Sequence, residues 1–154
     1  MRIAFDIDGV IAEQDACMLR AVDLLEMTEE TRDIINNYYY LERRVLLNPL
    51  LFLAEGDELF FITGRNSKYA EITERWIKQF FPNSTLIVVN HGDPVNITNL
   101  DKWFVKQAKL KAKYINELNI DVFIDDCEEV VFELRKICPN TKIIKYGGRL
   151  REIV

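Results

Sequence analysis

The chain has 154 residues, 49% hydrophobic and 29% charged, with a formal charge of −5. That is enough for one domain with a sizeable core, and the acidic balance argues against a nucleic-acid polymer as partner, because phosphate backbones call for a basic face. No apolar run approaches a membrane span, the start "MRIAFDIDGV" lacks the apolar stretch of a signal peptide, and Cys17, Cys127 and Cys138 are odd in number and match no zinc spacing; the expectation is a cytoplasmic protein with reduced thiols and no membrane contact.

Short apolar runs alternate with helical patterns along the chain. The first run, "RIAFDI", ends in Asp6-Ile7-Asp8-Gly9. Period-two spacing predicts that Asp6 and Asp8 face the same way, and Gly9 lets the chain turn sharply. The stretch from residue 9 to 62 is too long for a simple crossover. "EQDACMLRAVDLLEM" has helical spacing through Ala12, Ala16, Leu19 and Val22, and "TEETRDIINNYYYLERR" follows with Thr28 as cap and acids in its first turn. Residues 13–46 therefore read as a small helical insertion after strand one, with 1–12 and 47–154 forming the core. The competing reading is that these helices simply complete that core. "NPLLFLAEG" reads as a helix, with Asn48 as cap, Pro49 in the first turn and Gly56 as the stop.

The next runs are "ELFFIT", "TLIVVN", "DVFID" and "KIIKY", rich in β-branched and aromatic residues. Helices are expected at about 67–81, 101–118 and 127–137. Strand–helix alternation predicts an α/β fold, a parallel sheet covered on both faces.

Three of the runs end in reactive groups: Asp6 and Asp8; Thr63, Gly64 and Arg65; and Asp125 and Asp126. In a parallel sheet these ends share one edge, so four carboxylates converge. Like charges at that density raise one another's pKa, and a hard divalent cation such as magnesium relieves the strain. Thr63 and Gly64 add a hydroxyl and accessible N–H groups for an anion. Each motif alone is commonplace, since D-x-D, T-G-R and D-D mostly mark turns or caps; their joint placement after separate strands points to phosphate chemistry.

A fixed cation would complete such a site. Lys102, Lys106, Lys109 and Lys113 fall at i, i+4, i+7 and i+11, a stripe that reads as a solvated face. Lys111 is off the stripe and shares a row with Phe104, Ala108, Ile115 and Leu118. A lysine in a core-facing row needs a partner, unless it snorkels to solvent. Lys111 is the expected site lysine, with Lys109 as the alternative.

These motifs resemble the haloacid dehalogenase (HAD) superfamily of phosphohydrolases. "DIDGV" is similar to its first motif, "ITGR" to its second, Lys111 fits its third and "FIDD" its fourth. The order is kept over about residues 3–130, and the small phosphatase-like members related to the 5′-nucleotidases are the nearest in pattern. The resemblance implies a Rossmann-like three-layer core with a small cap. It implies a magnesium-dependent phosphomonoester hydrolase acting on a small phosphorylated substrate, such as a nucleotide, as a monomer or homodimer. Asp6 would be the nucleophile and Asp8 the general acid and base. Thr63, Gly64 and Lys111 would hold the phosphoryl group. Asp6, the Asp8 carbonyl and Asp125 would ligate Mg2+, with Asp126 orienting Lys111 or a metal-bound water. Arg65 would touch substrate or salt-bridge to the cap. Tyr38, Tyr39 and Tyr40 offer stacking rings or core packing, and His91 borders the site or is solvated. A phosphotransferase or mutase would use the same residues; a regulatory binding module would keep the fold without the chemistry.

Overall fold

The structure is a computed structural model describing residues 1–13, 28–92 and 97–147. Its centre is a sheet of five parallel strands: β1 (Arg2–Phe5), β2 (Glu58–Asn66), β3 (Ser84–Asn90), β4 (Val122–Asp125) and β5 (Lys142–Lys145), in the order β3-β2-β1-β4-β5. Among the described residues four α-helices accompany it: α1 (Glu29–Glu42), α2 (Ala70–Phe80), α3 (Leu100–Glu117) and α4 (Glu128–Ile137). No helix among the described residues is long and apolar enough to cross a membrane.

Alternation along the strands sorts the core into two layers. Ala4, Phe60, Ile62 and Phe123 face one side and pack with Ala108, Ala112 and Ile115 of α3 and Val131 and Leu134 of α4. Ile3, Phe5, Leu59, Phe61 and Ile124 face the other and pack with Trp76 and Ile77 of α2. Helices thus cover both faces, a three-layer α/β fold of Rossmann-like build. The chain runs outward from β1 through β2 to β3, then returns to β4 on the other flank of β1. The order reverses between β1 and β4, and such switch points open a crevice beyond the carboxyl ends of the strands.

The expected strands all form. The helix expected over "NPLLFLAEG" is instead a single 3-10 turn, Pro49–Phe52, capped by the Asn48 side chain on the Leu50 N–H. Leu50, Leu51 and Phe52 stay half or more exposed. Of the four residues only Pro49 is buried, and so short a segment with so little inward face does not propagate as an α-helix.

After β1 the chain folds back tightly. Gly9 has φ +81°, and the Ile11 and Ala12 N–H groups both donate to the Ile7 carbonyl. Ala12 bridges antiparallel to Val45, with Glu13 N–H on the Arg44 carbonyl and Leu46 N–H on the Ile11 carbonyl. Residues 14–27, which carry the first expected insertion helix, lie outside the described residues. The second is α1, with Thr28 as its cap and Glu29 and Glu30 in its first turn. It has no buried residue; its ties run to the end of β2 and the turn that follows. Asn36 donates to the Tyr69 hydroxyl, which donates to Asp33, and Lys68 pairs with Asp33 at 2.7 Å. α1 therefore stands at the carboxyl edge of the sheet.

Candidate active site

Asp6 follows β1 directly and continues its ladder, its N–H donating to the Ile124 carbonyl at 2.8 Å. That bond sets it beside Asp125, the last residue of β4. From the helical layer, Lys111 Nζ donates to Asp6 Oδ1 at 3.0 Å and to Asp125 Oδ2 at 2.6 Å. Lys111 is 4% exposed, whereas Lys102, Lys106, Lys109 and Lys113 are all exposed. The phase of α3 is the one its sequence predicts: small Ala108 and Ala112 bring the helix close to the sheet, and the lysine between them reaches the strand ends. The hollow on the outer face of α3, lined by Asp101, Lys102, Val105, Lys106 and Lys109, shares no residue with this centre.

Oxygens of Asp6, Asp125 and Asp126 lie within 4.8 Å of one another. The second oxygen of Asp125 accepts the Cys127 N–H, which fixes the carboxylate plane. Asp126 packs against Gly9, where any Cβ would overlap its carboxylate. Gly9 is thus required twice, by its positive φ and by this approach. Asp126, expected to orient its neighbours, joins the converging oxygens directly.

Burial, opposed by Lys111 and reinforced by Asp125, Asp8 and Asp126, pushes Asp6 up to about 8. Burial likewise raises Asp126 to about 6, with Asp125 adding to the shift. Burial disfavours the Lys111 ammonium, but Asp125 and Asp6 more than compensate and hold it charged. Lys111 thus bonds two of the three converging carboxylates. All the converging ligand atoms are oxygens, and negative charge is in excess, so the residues fit a hard divalent cation of the magnesium type.

Asp8 has partners of its own: Arg65 Nε and Nη2 meet its two oxygens at 2.9 and 2.8 Å. Arg43 lies 3.7 Å away. Burial alone would raise the Asp8 pKa, but Arg65 and Arg43 hold it below the usual carboxylate range. Arg65 is buried; its remaining nitrogen, Nη1, donates to Thr73 at 3.2 Å, and the Tyr40 ring of α1 lies 3.9 Å from its guanidinium carbon. The arginine expected to touch substrate or tie down the insertion is engaged by Asp8, Thr73 and the insertion's own tyrosine. Among the three consecutive tyrosines, Tyr38 is exposed and Tyr40 packs between Arg65 and Tyr69. His91 is exposed.

Thr63 is buried, its hydroxyl accepting from the Arg65 N–H at 3.2 Å. The β2–β3 register shifts between Thr63 and Asn66, an irregularity that bends the strand end. Gly64 sits in this bend, under the side chain of Gln107. Sequence reasoning passed over Gln107 and Arg43. The spacing held the first signal, since Gln107 lies four residues before Lys111 on the same row; a basic pair at the end of a surface helix gave none for Arg43.

No family model and no curated protein matches the chain. Among solved structures, the fold is similar to a chain of "Structure of the Pnkp1/Rnl/Hen1 RNA repair complex", with 16% identity and TM-score 0.61 over 93% of this chain and 41% of that one. It is also similar to a chain of "Structure of Pnkp1/Rnl/Hen1 complex", with 14% identity and TM-score 0.54 over 96% of this chain and 46% of that one. The chain spans less than half the length of either, and identities this low speak for the fold alone.

Proposed function

We propose that this protein is a magnesium-dependent phosphomonoester hydrolase of the haloacid dehalogenase type. One observation carries the reading: a buried lysine from the helical layer bonds the carboxylates that end two adjacent parallel strands, at the point where the strand order reverses. The motif order in the sequence supports it independently.

Asp6 and Asp125 through their carboxylates, and Asp8 through its backbone carbonyl, would hold the metal. When bound, it supplies charge neutralisation and alignment of the phosphoryl group. The remaining chemistry belongs to the chain. Asp6 attacks phosphorus, the bond to the leaving oxygen breaks, and an aspartyl phosphate forms. Lys111, the Thr63 hydroxyl and the Gly64 N–H donate to the phosphoryl oxygens. Asp8 gives its proton to the leaving oxygen, then accepts one from the water that attacks phosphorus and frees Asp6. The pairing with Arg65 suits the second of these tasks, because it favours the ionised carboxylate. The first needs the proton on Asp8, and so a weaker hold by Arg65 than the one in this arrangement.

The test is release of inorganic phosphate from a panel of esters with and without magnesium. The panel holds a nucleotide, a sugar phosphate, an aryl phosphate and a phosphorylated RNA oligonucleotide, the last because the two solved neighbours belong to RNA repair assemblies. Turnover that EDTA abolishes and magnesium restores is the expected result; full turnover in metal-free buffer, or none on any ester, would sink the reading.

A further inference from the structure

Asp8 keeps 29% of its side chain exposed, whereas Arg65 and Arg43 behind it keep 2% and 3%. A ligand can therefore reach the carboxylate but not the guanidinium groups that hold it. The firmer grip is that of Arg65. Its Nε and Nη2 take the two Asp8 oxygens and its Nη1 takes Thr73, so all three nitrogens are bonded. The central carbon of the same guanidinium stands over the Tyr40 ring, 3.9 Å from its centroid, and that of Arg43 stands 5.9 Å from it. The electron-rich face of a tyrosine ring attracts a cation, the more so where water is excluded. Tyr40 is half-buried, in a helix with no buried residue, and it also meets the Tyr69 ring at 5.3 Å. The ties of α1 through Asn36, Asp33 and Glu29 end on Tyr69 and Lys68 instead. Tyr40 thus carries the insertion to the groups that hold Asp8.

We infer that Tyr40 is a positioning residue: its ring holds Arg65, and through Arg65 it fixes the Asp8 carboxylate for the step in which water attacks the phosphorylated protein. The inference rests on the hydrolase reading above, in which the pairing with Arg65 suits that step. Two parallel N–H···O bonds set the plane of a carboxylate, and a shift of about 1 Å in a reacting group can cost about 10²-fold in rate. Hydrogen bonds hold the guanidinium at its edges, and the ring backs it from the side of the insertion. The insertion thereby serves the chemistry without touching substrate. Removing the ring should slow the water step and spare the first phosphoryl transfer. A ring that only packed would, once removed, alter both steps or neither.

The probe is an aryl phosphate with magnesium. Its good leaving group makes the first transfer fast, so kcat reports the water step, while kcat/KM counts only the steps up to that transfer. Both are measured for the wild type, Tyr40→Leu, Tyr40→Met and Tyr40→Phe; leucine and methionine are good helix formers and keep the propensity of α1. In the first two variants kcat should fall at least about tenfold, part of the ~10²–10⁴ that a general base contributes, with kcat/KM held within about threefold. KM should fall with kcat. Tyr40→Phe keeps the ring and should match the wild type. Exchange of the Arg65 Nε–H with solvent, its ¹⁵N signal identified by its loss in Arg65→Lys, reads the same contact without turnover. It should be roughly tenfold faster in Tyr40→Leu and Tyr40→Met and unchanged in Tyr40→Phe. An unchanged exchange rate or kcat in both ring-less variants would overturn the inference. So would equal losses in kcat and kcat/KM, or a phenylalanine variant as impaired as the other two. The hydrolase reading fails separately: if wild-type protein releases phosphate from no ester, that reading is lost, and the exchange rate alone decides whether Tyr40 holds Arg65 on Asp8.

Discussion

Replacing Lys111 with methionine keeps most of the side-chain volume and removes the one ammonium that bonds both Asp6 and Asp125, at 3.0 and 2.6 Å. Asp6 is 8% exposed and Asp125 fully buried, so water cannot take over the lost interaction. Removing one partner of a buried ion pair costs roughly 3–5 kcal/mol, mostly from the charge left uncompensated. A domain of this size loses roughly 2–4 °C of melting temperature per kcal/mol, so Lys111→Met should melt roughly 6–20 °C lower in EDTA at neutral pH. Excess magnesium should return part of that loss, because a cation among the carboxylates replaces the missing ammonium. Lys109→Met, on the exposed row, should stay within about 0.5 kcal/mol of the wild type. Thermal unfolding followed by circular dichroism, with and without magnesium, measures all three. A Lys111 variant as stable as the wild type in EDTA, or a Lys109 variant that loses as much, would refute the reasoning.

Gly9→Ala should cost at least about 1–3 kcal/mol for its positive φ alone, with the overlap on Asp126 added; a chemical denaturation midpoint equal to the wild type would contradict this. Asp33 ties α1 to the core, and its hydrogen bonds from Lys68 and then Tyr69 hold its pKa below the ordinary 3.8. A folded value depressed below the unfolded one contributes stability that is present above the unfolded value and lost as pH falls through the folded one. Amide exchange in α1, corrected for its intrinsic pH dependence, should therefore accelerate below about pH 4, the unperturbed carboxylate range, and Asp33→Asn should flatten that dependence.

The strands were legible because each is a short, nearly continuous apolar run, the pattern of a strand buried on both faces. Lys111 was legible because helical phase is arithmetic: one lysine off a four-lysine stripe has to face inward. Three features were not. The turn at Pro49–Phe52 carries good cap and stop residues, but of its four residues only Pro49 is buried, and caps alone do not hold a helix. The partner of Arg65 depended on where a 57-residue detour brought the chain back, a long-range fact with no local signal. Gln107 went unread because a glutamine on an inward row looks like neutral filler until its amide is seen to lack partners.

The central claim is that Asp6 attacks phosphorus, and trapping the phosphorylated protein tests it most directly. Protein mixed with an aryl phosphate and magnesium, quenched in acid and mapped by mass spectrometry, should carry an added phosphoryl group on Asp6. Asp8→Asn should increase its amount, because a good leaving group needs little protonation whereas the attacking water loses its base, worth about 10²–10⁴ in rate. An adduct on another residue, or Asp6→Asn protein that still turns over, would contradict the account.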